Sequence, residues 1–411
     1  MRNAIRKILL LAVLLSLLVL SGCWNRREPD SLALVDSLIS DAEGEKVYLT
    51  FEVLDPSPKQ SKGSGGQTGT FSSIYVSGTG YTLPEALRSG TNALDRKLYI
   101  GHIEARFLSE RLAKAGIGKM IDFYLRDHEA RQDPYMVVIK GENPGLLYSC
   151  ASGMSDNMGT YITKLASNQM ASTSESVFVR TLTFLKAYYD DGIQPVAGTV
   201  EIIENPDYAS ASAENPEEKS GEKYLLEYKG LAAFKDGQMV GYLDGIETRA
   251  YNIIVGKMVS AFINVPNVSG DKGNEVHTTL EVIDSKPEIK VSYDGKAVIE
   301  ISVTMNVVIG FEGDEKDIED AGVRKKIEKA FDALIQNQLQ TAIYKVQTEF
   351  QSDIFGFGKQ LHMQHPEQWK KVSDRWDEVF SQADVHIQVQ AKINETGEII
   401  EPFLREDGPN E

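Results

Sequence analysis

Apolar and polar positions alternate along several short segments of the chain, and this pattern predicts β-strands. It is clearest over residues 46–54, where four apolar side chains alternate around Thr50 and Glu52. In the first half, strands are predicted at 32–40, 46–54, 71–77, 98–108, 135–139 and 196–203. The second half adds 228–234, 238–243, 275–283, 288–293, 297–309 and 385–393, with Asp-Gly turns after residues 235 and 293.

Helical spacing and capping residues predict the helices between these strands. Thr82 and Glu85 form a capping box, and Ser109 caps a short helix that Gly116 ends. Residues 317–350 contain no proline and repeat apolar positions at helical spacing, which predicts one long helix. Further helices are predicted at 117–126, 174–189 and 248–255, and another begins at Pro366.

The expected fold class is α+β, with about three domains of mixed β-sheets flanked by helices, behind a cleaved lipoprotein signal peptide. A chain of 411 residues is too long for one comfortable core. Residues 205–223 contain almost no large apolar side chain, which predicts an acidic linker or loop. The predicted division is 1–22 as signal peptide, 23–204 as an N-terminal mixed-sheet domain, 205–223 as the linker, 224–270 as a small middle domain and 271–405 as a C-terminal α+β domain containing the long helix.

The first 22 residues have the parts of a secretory signal peptide. Three early positive charges precede an apolar run over 8–20, which is shorter than the roughly 20 residues that span a bilayer. The run ends in Leu-Ser-Gly before Cys23, which resembles the lipobox of bacterial lipoproteins. By that resemblance, Cys23 receives a diacylglycerol and the peptide is cleaved before it. The alternative is an ordinary secretion signal in which Cys23 only lies near the cleavage point.

Charge limits the partners that the chain can have. The sequence has 43 Lys and Arg against 60 Asp and Glu, and loss of the signal peptide moves its net charge from −17 to −20. Such a polyanion repels nucleic acid and anionic lipid headgroups, so attachment to a membrane is expected from the lipid on Cys23. The other cysteine, Cys150, is expected to be a small buried side chain rather than a reactive thiol.

The sequence offers little support for catalysis, a cofactor or a metal. His362 and His365 are spaced like two metal ligands on a helix, but Pro366 follows at once and no cysteine or clustered carboxylate accompanies them. Residues 63–69 are rich in glycine but lack the following helix and the Lys-Ser/Thr ending of a phosphate cradle. A G-x-S-x-G nucleophile elbow is absent. We therefore expect a protein that is not an enzyme and that holds no cofactor or metal.

Two groups of side chains allow a structural and a functional interpretation. The first is a charged block that could bind a partner but is more typical of local ion pairs at a helix end. It consists of Asp122, Arg126, Asp127, Glu129 and Arg131. The second is an aromatic set that could line a pocket but at helical spacing is more typical of a core. Its members are Phe355, Phe357, Trp369, Trp376 and Phe380.

Three separated motifs resemble the Ger(x)C lipoproteins, the C subunits of germinant receptors in endospore-forming bacteria. The first is Gly-Cys-Trp-Asn-Arg-Arg-Glu over 22–28. The second runs from the Gly-His pair at 101–102 to Asp-Phe-Tyr-Leu-Arg-Asp over 122–127. The third is Asp-Ile-Phe-Gly-Phe-Gly over 353–358, followed by Pro366, Trp369 and Trp376. Together the motifs span nearly the whole chain after the signal peptide, in the family's order.

The resemblance implies a particular role and place in the cell. It implies a lipid-anchored protein on the outer face of the spore inner membrane, working with two integral-membrane partners, the A and B subunits, in sensing nutrient germinants. It also implies a mixed α/β fold of three domains. A lipid-anchored extracytoplasmic solute-binding protein or cell-wall enzyme is the alternative function.

Overall fold

The computed structural model describes residue 2 and residues 4–7, 29–55, 72–150, 153–206, 223–266, 277–312 and 320–395. Cys23, the motif over 22–28 and the glycine-rich residues 63–69 lie outside the described residues. In the described part, no helix is both long enough and apolar enough to cross a bilayer.

Nine strands form a large mixed sheet in the order β3-β2-β1-β5-β6-β7-β8-β9, with β4 also paired to β1. The strands β1, β5, β6 and β7 are parallel to one another, and the outer pairs are antiparallel. Their bounds are β1 Leu32–Glu43, β2 Lys46–Asp55, β3 Ser72–Gly80, β4 Lys97–Tyr99, β5 Ala105–Ser109, β6 Tyr135–Ile139, β7 Val196–Glu204, β8 Tyr224–Lys235 and β9 Gln238–Leu243.

Helices cover both faces of the large sheet. They are α1 Leu83–Thr91, α2 Glu110–Ala115, α3 Gly118–Arg126, α4 Met158–Ser172 and α5 Thr181–Tyr188. Neighbouring residues of a strand point to opposite faces, so Val137 of β6 packs in a core with α4, whereas Val138 packs in the core that holds α1, α2, α3 and α5. All five residues of β6 are buried, as expected for a central strand of a covered sheet.

Four strands form a smaller sheet in the order β10-β11-β12-β13. Their bounds are β10 Ala261–Pro266, β11 His277–Tyr293, β12 Ala297–Glu312 and β13 Asp384–Glu395. The associated helices are α6 Gly245–Ile254, α7 Ala321–Lys345, α8 Phe357–Gln364, α9 Pro366–Trp369 and α10 Trp376–Ser381. One face of β12 is buried through Ile299, Ile301 and Val303, while the alternate positions Ser302 and Thr304 are exposed.

The predicted fold class, mixed sheets flanked by helices, is confirmed. Within it, the segment predicted as a middle domain is shared between the two sheets, because β8 and β9 extend the large sheet beyond β7 and β10 pairs with β11. Of the predicted linker, residues 207–222 lie outside the described part, and Asn205 N donates to Lys223 O at 2.9 Å beside them. The division into three domains stays a prediction.

Two helices differ from the pattern in the sequence. The helix predicted at 174–189 begins only at Thr181, because the residues before it are extended: Val179 O accepts from Met136 N, and Ser176 bridges to Gly230. The helix α4 was not predicted. Its N-cap residue, Asn157, makes no side-chain capping bond, and the first N–H groups of the helix are instead bound by residues far away in the chain.

Smaller differences concern where elements are interrupted. The strand predicted at 98–108 is divided by a 3₁₀ turn at Ile100–His102, and the helix predicted from Pro366 is divided by another at Ser373–Arg375. A helix over Phe357–Gln364 was missed. The two strands predicted at 275–283 and 288–293 are one strand, β11. Pro287 has no backbone N–H to donate, but it lies beyond the part of β11 that pairs with β10, so no hydrogen bond between these strands is lost.

Candidate functional site

The third motif forms a tight turn where the two sheets meet. The helix α7 ends in a π turn, Val346–Phe350, and Gln351 follows with a left-handed φ of 48°. Lys235 Nζ of β8 then donates to Gln351 O at 2.7 Å, and Ser352 Oγ donates to Phe234 O at 2.7 Å. Strand β8 of the large sheet therefore holds the chain as it leaves the long helix.

The carboxylate of Asp353 organises this turn. It is fully buried and accepts backbone N–H groups from Phe355 at 3.2 Å, Gly356 at 2.9 Å and Gly358 at 2.8 Å. It also accepts the indole N–H of Trp376 at 2.8 Å. Burial raises the pKa of Asp353 to about 6, against the opposing effect of the bonds from Gly358 and Trp376. The side chain therefore works as an internal cap for the turn, which we call the Asp353 turn (residues 353–358).

Two glycines make the Asp353 turn possible. Gly356 has a φ of 81°, in the left-handed region that glycine adopts without strain. At Gly358 the difficulty is space, because a Cβ there would lie 2.5 Å from the indole nitrogen of Trp376. The motif thus needs glycine for two different reasons at positions two residues apart.

The Asp353 turn is also bonded to the loop that leads into β7. Gln194 N donates to Asp353 O at 2.8 Å, and Lys359 N donates to Gly192 O at 2.9 Å. Lys359 Nζ pairs with Asp190 at 2.8 Å. A Cβ at Gly192 would lie 2.5 Å from Lys359 N, so the two backbones are in close contact. Residues from both halves of the chain therefore fix the position of one turn.

The aromatic set is part of the core around this turn. Its ring centroids lie 5.2 Å apart for Phe355 and Phe357, 6.0 Å for Phe357 and Phe380, and 5.6 Å for Trp369 and Trp376. All five side chains are at most 6% exposed. The structural interpretation of these residues is confirmed, because such burial leaves no open pocket between the rings.

A second buried polar cluster lies at the start of α4. Glu52 of β2 is fully buried and accepts from Met158 N at 2.8 Å, Gly159 N at 3.2 Å and Ser37 Oγ at 2.7 Å. Asp36 of β1 accepts from Thr160 N at 3.2 Å. These carboxyl groups take the place of a local N-cap, and Glu52 puts negative charge at the positive end of the helix.

The pKa of Asp36 is raised to about 7, first by burial and then by the neighbouring negative charge of Glu52. The bond from Thr160 N opposes the shift. The sequence signal for this cluster is the presence of acidic residues at inward-facing positions of otherwise apolar strands. The alternation of apolar and polar residues along the strands did not reveal this cluster, because the carboxyl groups and the backbone N–H groups that they bind are more than 100 residues apart in the chain.

Comparison with known proteins identifies the chain's family. Residues 25–202 match the family model described as the spore germination protein N-terminal domain, and residues 229–397 match the model described as spore germination B3/GerAC like, C-terminal. The chain belongs to the GerAC family of spore germination proteins. The two models follow one another along the chain and cover most of it.

Relatives of the GerAC family match over nearly the full chain. Spore germination protein KC of Bacillus subtilis is 26% identical over 96% of this chain and 97% of its own length. Spore germination protein B3 of the same organism is 24% identical over 93% and 96%. A solved structure, the crystal structure of the GerBC protein, superposes with a TM-score of 0.54 over 87% of this chain and 97% of that one, at 20% identity. That likeness supports the fold.

The second GerAC-like motif contains a buried charged residue, Arg106, that its sequence pattern did not predict. Arg106 is fully buried, and its guanidinium lies 4.0 Å from the ring centroid of Tyr124, in the last block of the motif. Arg106 also donates to Thr181 Oγ1 at 3.0 Å and to Arg131 O at 2.6 Å. Burial lowers the pKa of Arg106. The feature of the sequence that could have indicated this buried charge is the single arginine within the otherwise largely apolar strand β5.

The other residues that the GerAC-like sequence highlights are spread over the surface or the core. In the charged block, Arg126 pairs with Asp122 at 2.7 Å and Arg131 pairs with a carboxylate two residues away at 2.6 Å, which fits the local interpretation. Glu129 instead pairs with Lys97, 32 residues away, at 3.0 Å. His362 lies against Trp369 with ring centroids 5.7 Å apart. Within the described ranges, no group of three or more His, Cys, Asp or Glu side chains could hold a metal ion.

Proposed function

We propose that the chain is a non-enzymatic, lipid-anchored C subunit of a nutrient germinant receptor. The observation that carries this proposal is the match of both GerAC family models, in order, over 25–202 and 229–397. The lipobox ending at Cys23 supports anchoring by a diacylglycerol, and its place before the family domains puts them outside the membrane. Two acyl chains supply the hydrophobic area that durable attachment requires.

The proposed location is the outer face of the spore inner membrane, beside two integral-membrane subunits, A and B. The net charge of −17 supports a lipid anchor over electrostatic adsorption, because anionic headgroups repel such a chain. The Asp353 turn supports a role as a rigid accessory subunit. Its backbone bonds to the loop before β7, and the bond from the adjacent Ser352 to β8, tie the chain after the long helix to the large sheet.

Purification from dormant spores tests the proposed assembly. After mild crosslinking and detergent extraction, a carboxy-terminally tagged chain is expected to bring down two integral-membrane proteins in a fixed ratio. The matched control is the same spore lysate carrying an untagged chain. Recovery of the tagged chain alone, with crosslinking efficiency verified on a known membrane complex, would contradict the assembly.

A further inference from the structure

The strand β3 forms an open edge of the large sheet. It pairs with β2 on one side and stands last in the strand order, so no described strand lies beyond it. Thr79 N donates to Ser89 Oγ of α1 at 2.7 Å, which shows that its N–H points away from β2. Alternate residues of a strand share that direction, and in the described ranges no residue bonds to the outward N–H of Tyr75 or Ser77. Such a row of free backbone groups can pair with another strand.

The edges of the small sheet, in contrast, are closed by side chains. Asp332 of α7 accepts from Ala391 N of β13 at 2.7 Å. Gln364 of α8 accepts from Val291 N at 3.0 Å, on the part of β11 that does not pair with β10. Helices therefore bind outward donors on both strands, which is a common way to prevent unwanted pairing. Along residues 73–77, the described part of the chain provides no such bond.

The sequence of this open stretch is complementary to itself. Residues 73–77 read Ser-Ile-Tyr-Val-Ser, which is the same in both directions by residue type, with Tyr75 at the centre. Two copies related by a two-fold axis at Tyr75 run antiparallel. Each serine then lies opposite a serine of the second copy, and Ile74 lies opposite Val76. A strand of arbitrary sequence does not match itself in this way, so the pattern favours a second copy as the partner.

The side chains of the open stretch have surface to bury against such a partner. Ile74 is 43% exposed and Tyr75 is 48% exposed. The ring of Tyr75 stacks on Tyr148 with ring centroids 4.6 Å apart, which holds it in place beside the edge. The sequence has no charged residue between Lys62 and Glu85, so the pairing brings no like charges together along the two strands.

We propose that β3 pairs with β3 of a second copy of the chain, so that two large sheets join into one continuous sheet across a two-fold axis at Tyr75. Three opposed pairs of residues supply about six backbone hydrogen bonds between the copies. An edge of this length makes a small interface, so we expect a dissociation constant of about micromolar order or weaker. The inference goes beyond the proposed function, because it concerns association of the chain with itself.

Site-specific crosslinking of the full chain in detergent tests the pairing and its register. Tyr75→Cys places the two thiols across the axis, with Cα atoms about 5.5 Å apart, and a short bis-maleimide is expected to give a covalent dimer. Thr79→Cys is the matched control, exposed on the same strand. It lies four residues from the axis, so its two thiols are about 26 Å apart and beyond the reagent. The parent chain, which keeps Cys23 and Cys150, gives the background.

Sedimentation velocity measures the association without a reagent. Ser77→Pro removes an outward N–H and leaves the bonds between β2 and β3 intact, because that N–H points away from β2. It is expected to weaken dimer formation at least about tenfold. Ser77→Thr keeps the N–H and is expected to behave like the parent chain. Circular dichroism of each variant establishes that it is folded, which is expected because Ser77 is exposed.

Four results would overturn the proposal. The first is a monomer at every concentration up to about 100 µM. The second is crosslinking of Tyr75→Cys no greater than that of Thr79→Cys, and the third is a dimer that Ser77→Pro leaves unchanged. The fourth is an adduct of Tyr75→Cys with a different protein in spore membranes in place of the homodimer, which would assign the edge to another partner.

Discussion

Replacing Asp353 with alanine is expected to lower the free energy of unfolding by about 3–5 kcal/mol. The substitution removes a fully buried acceptor and leaves three backbone N–H groups and the Trp376 indole N–H without a partner. Each buried donor left unsatisfied costs on the order of 1–3 kcal/mol, and relaxation of the turn recovers part of that total. Urea unfolding followed by tryptophan fluorescence measures the change, because Trp376 bonds directly to Asp353.

The matched control for Asp353→Ala is Asp384→Ala. Asp384 is half exposed and pairs with Lys296 on the surface, so its loss is expected to cost at most about 1 kcal/mol. Equal effects of the two substitutions would show that the buried Asp353 carboxylate does not stabilise the fold through the bonds that it accepts. A larger effect confined to Asp353→Ala is the predicted result.

Replacing Asp36 with asparagine is expected to stabilise the protein at pH 8 by as much as about 4 kcal/mol and to change little at pH 4. The pKa of Asp36 is about 7 in the folded chain, against an ordinary value of 3.8 for an aspartate side chain. Between these values the folded chain holds a proton that the unfolded chain has lost. The free energy of unfolding therefore falls as the pH rises from about 4 to about 7, and asparagine, which imitates the protonated acid, removes that loss.

The free energy of unfolding is expected to depend less steeply on pH in Asp36→Asn than in the parent chain, but some dependence is expected to remain. The pKa of Asp353 is raised to about 6, so Asp353 contributes in the same direction. Urea midpoints at several pH values between 4 and 8 measure the effect. Asp122→Asn, which changes an exposed helix pair, serves as the control and is expected to follow the parent chain. If the free energy of unfolding depended on pH equally in the parent chain and in Asp36→Asn, the claim that Asp36 is buried and protonated would be wrong.

Elements whose signals are local could be predicted from the sequence. Thr82 caps α1 as its side chain and spacing indicate, and Ser109 and Gly116 bound α2 as predicted. The Asp-Gly turns place β9 and β12 correctly, because glycine at these positions adopts a positive φ. In each case the residues that determine the element lie within a few positions of it.

Elements that depend on distant partners could not be predicted. The helix α4 begins on the carboxylates of Glu52 and Asp36, which lie on β2 and β1. The glycines and aromatic residues of the Asp353 turn indicated tight packing. The bond from Trp376, 23 residues later, and the contact with Gly192 appear only once the two halves of the chain are placed together. Pattern and motif thus located the turn, and tertiary contacts explain it.

The mass of the mature amino terminus tests the central claim most directly. The chain purified from dormant-spore membranes is digested, and its first peptide is analysed by mass spectrometry. The account predicts that this peptide begins at Cys23 and carries a diacylglycerol on its thiol. An unmodified Cys23, or a first residue at another position without lipid, would contradict the lipid-anchored subunit.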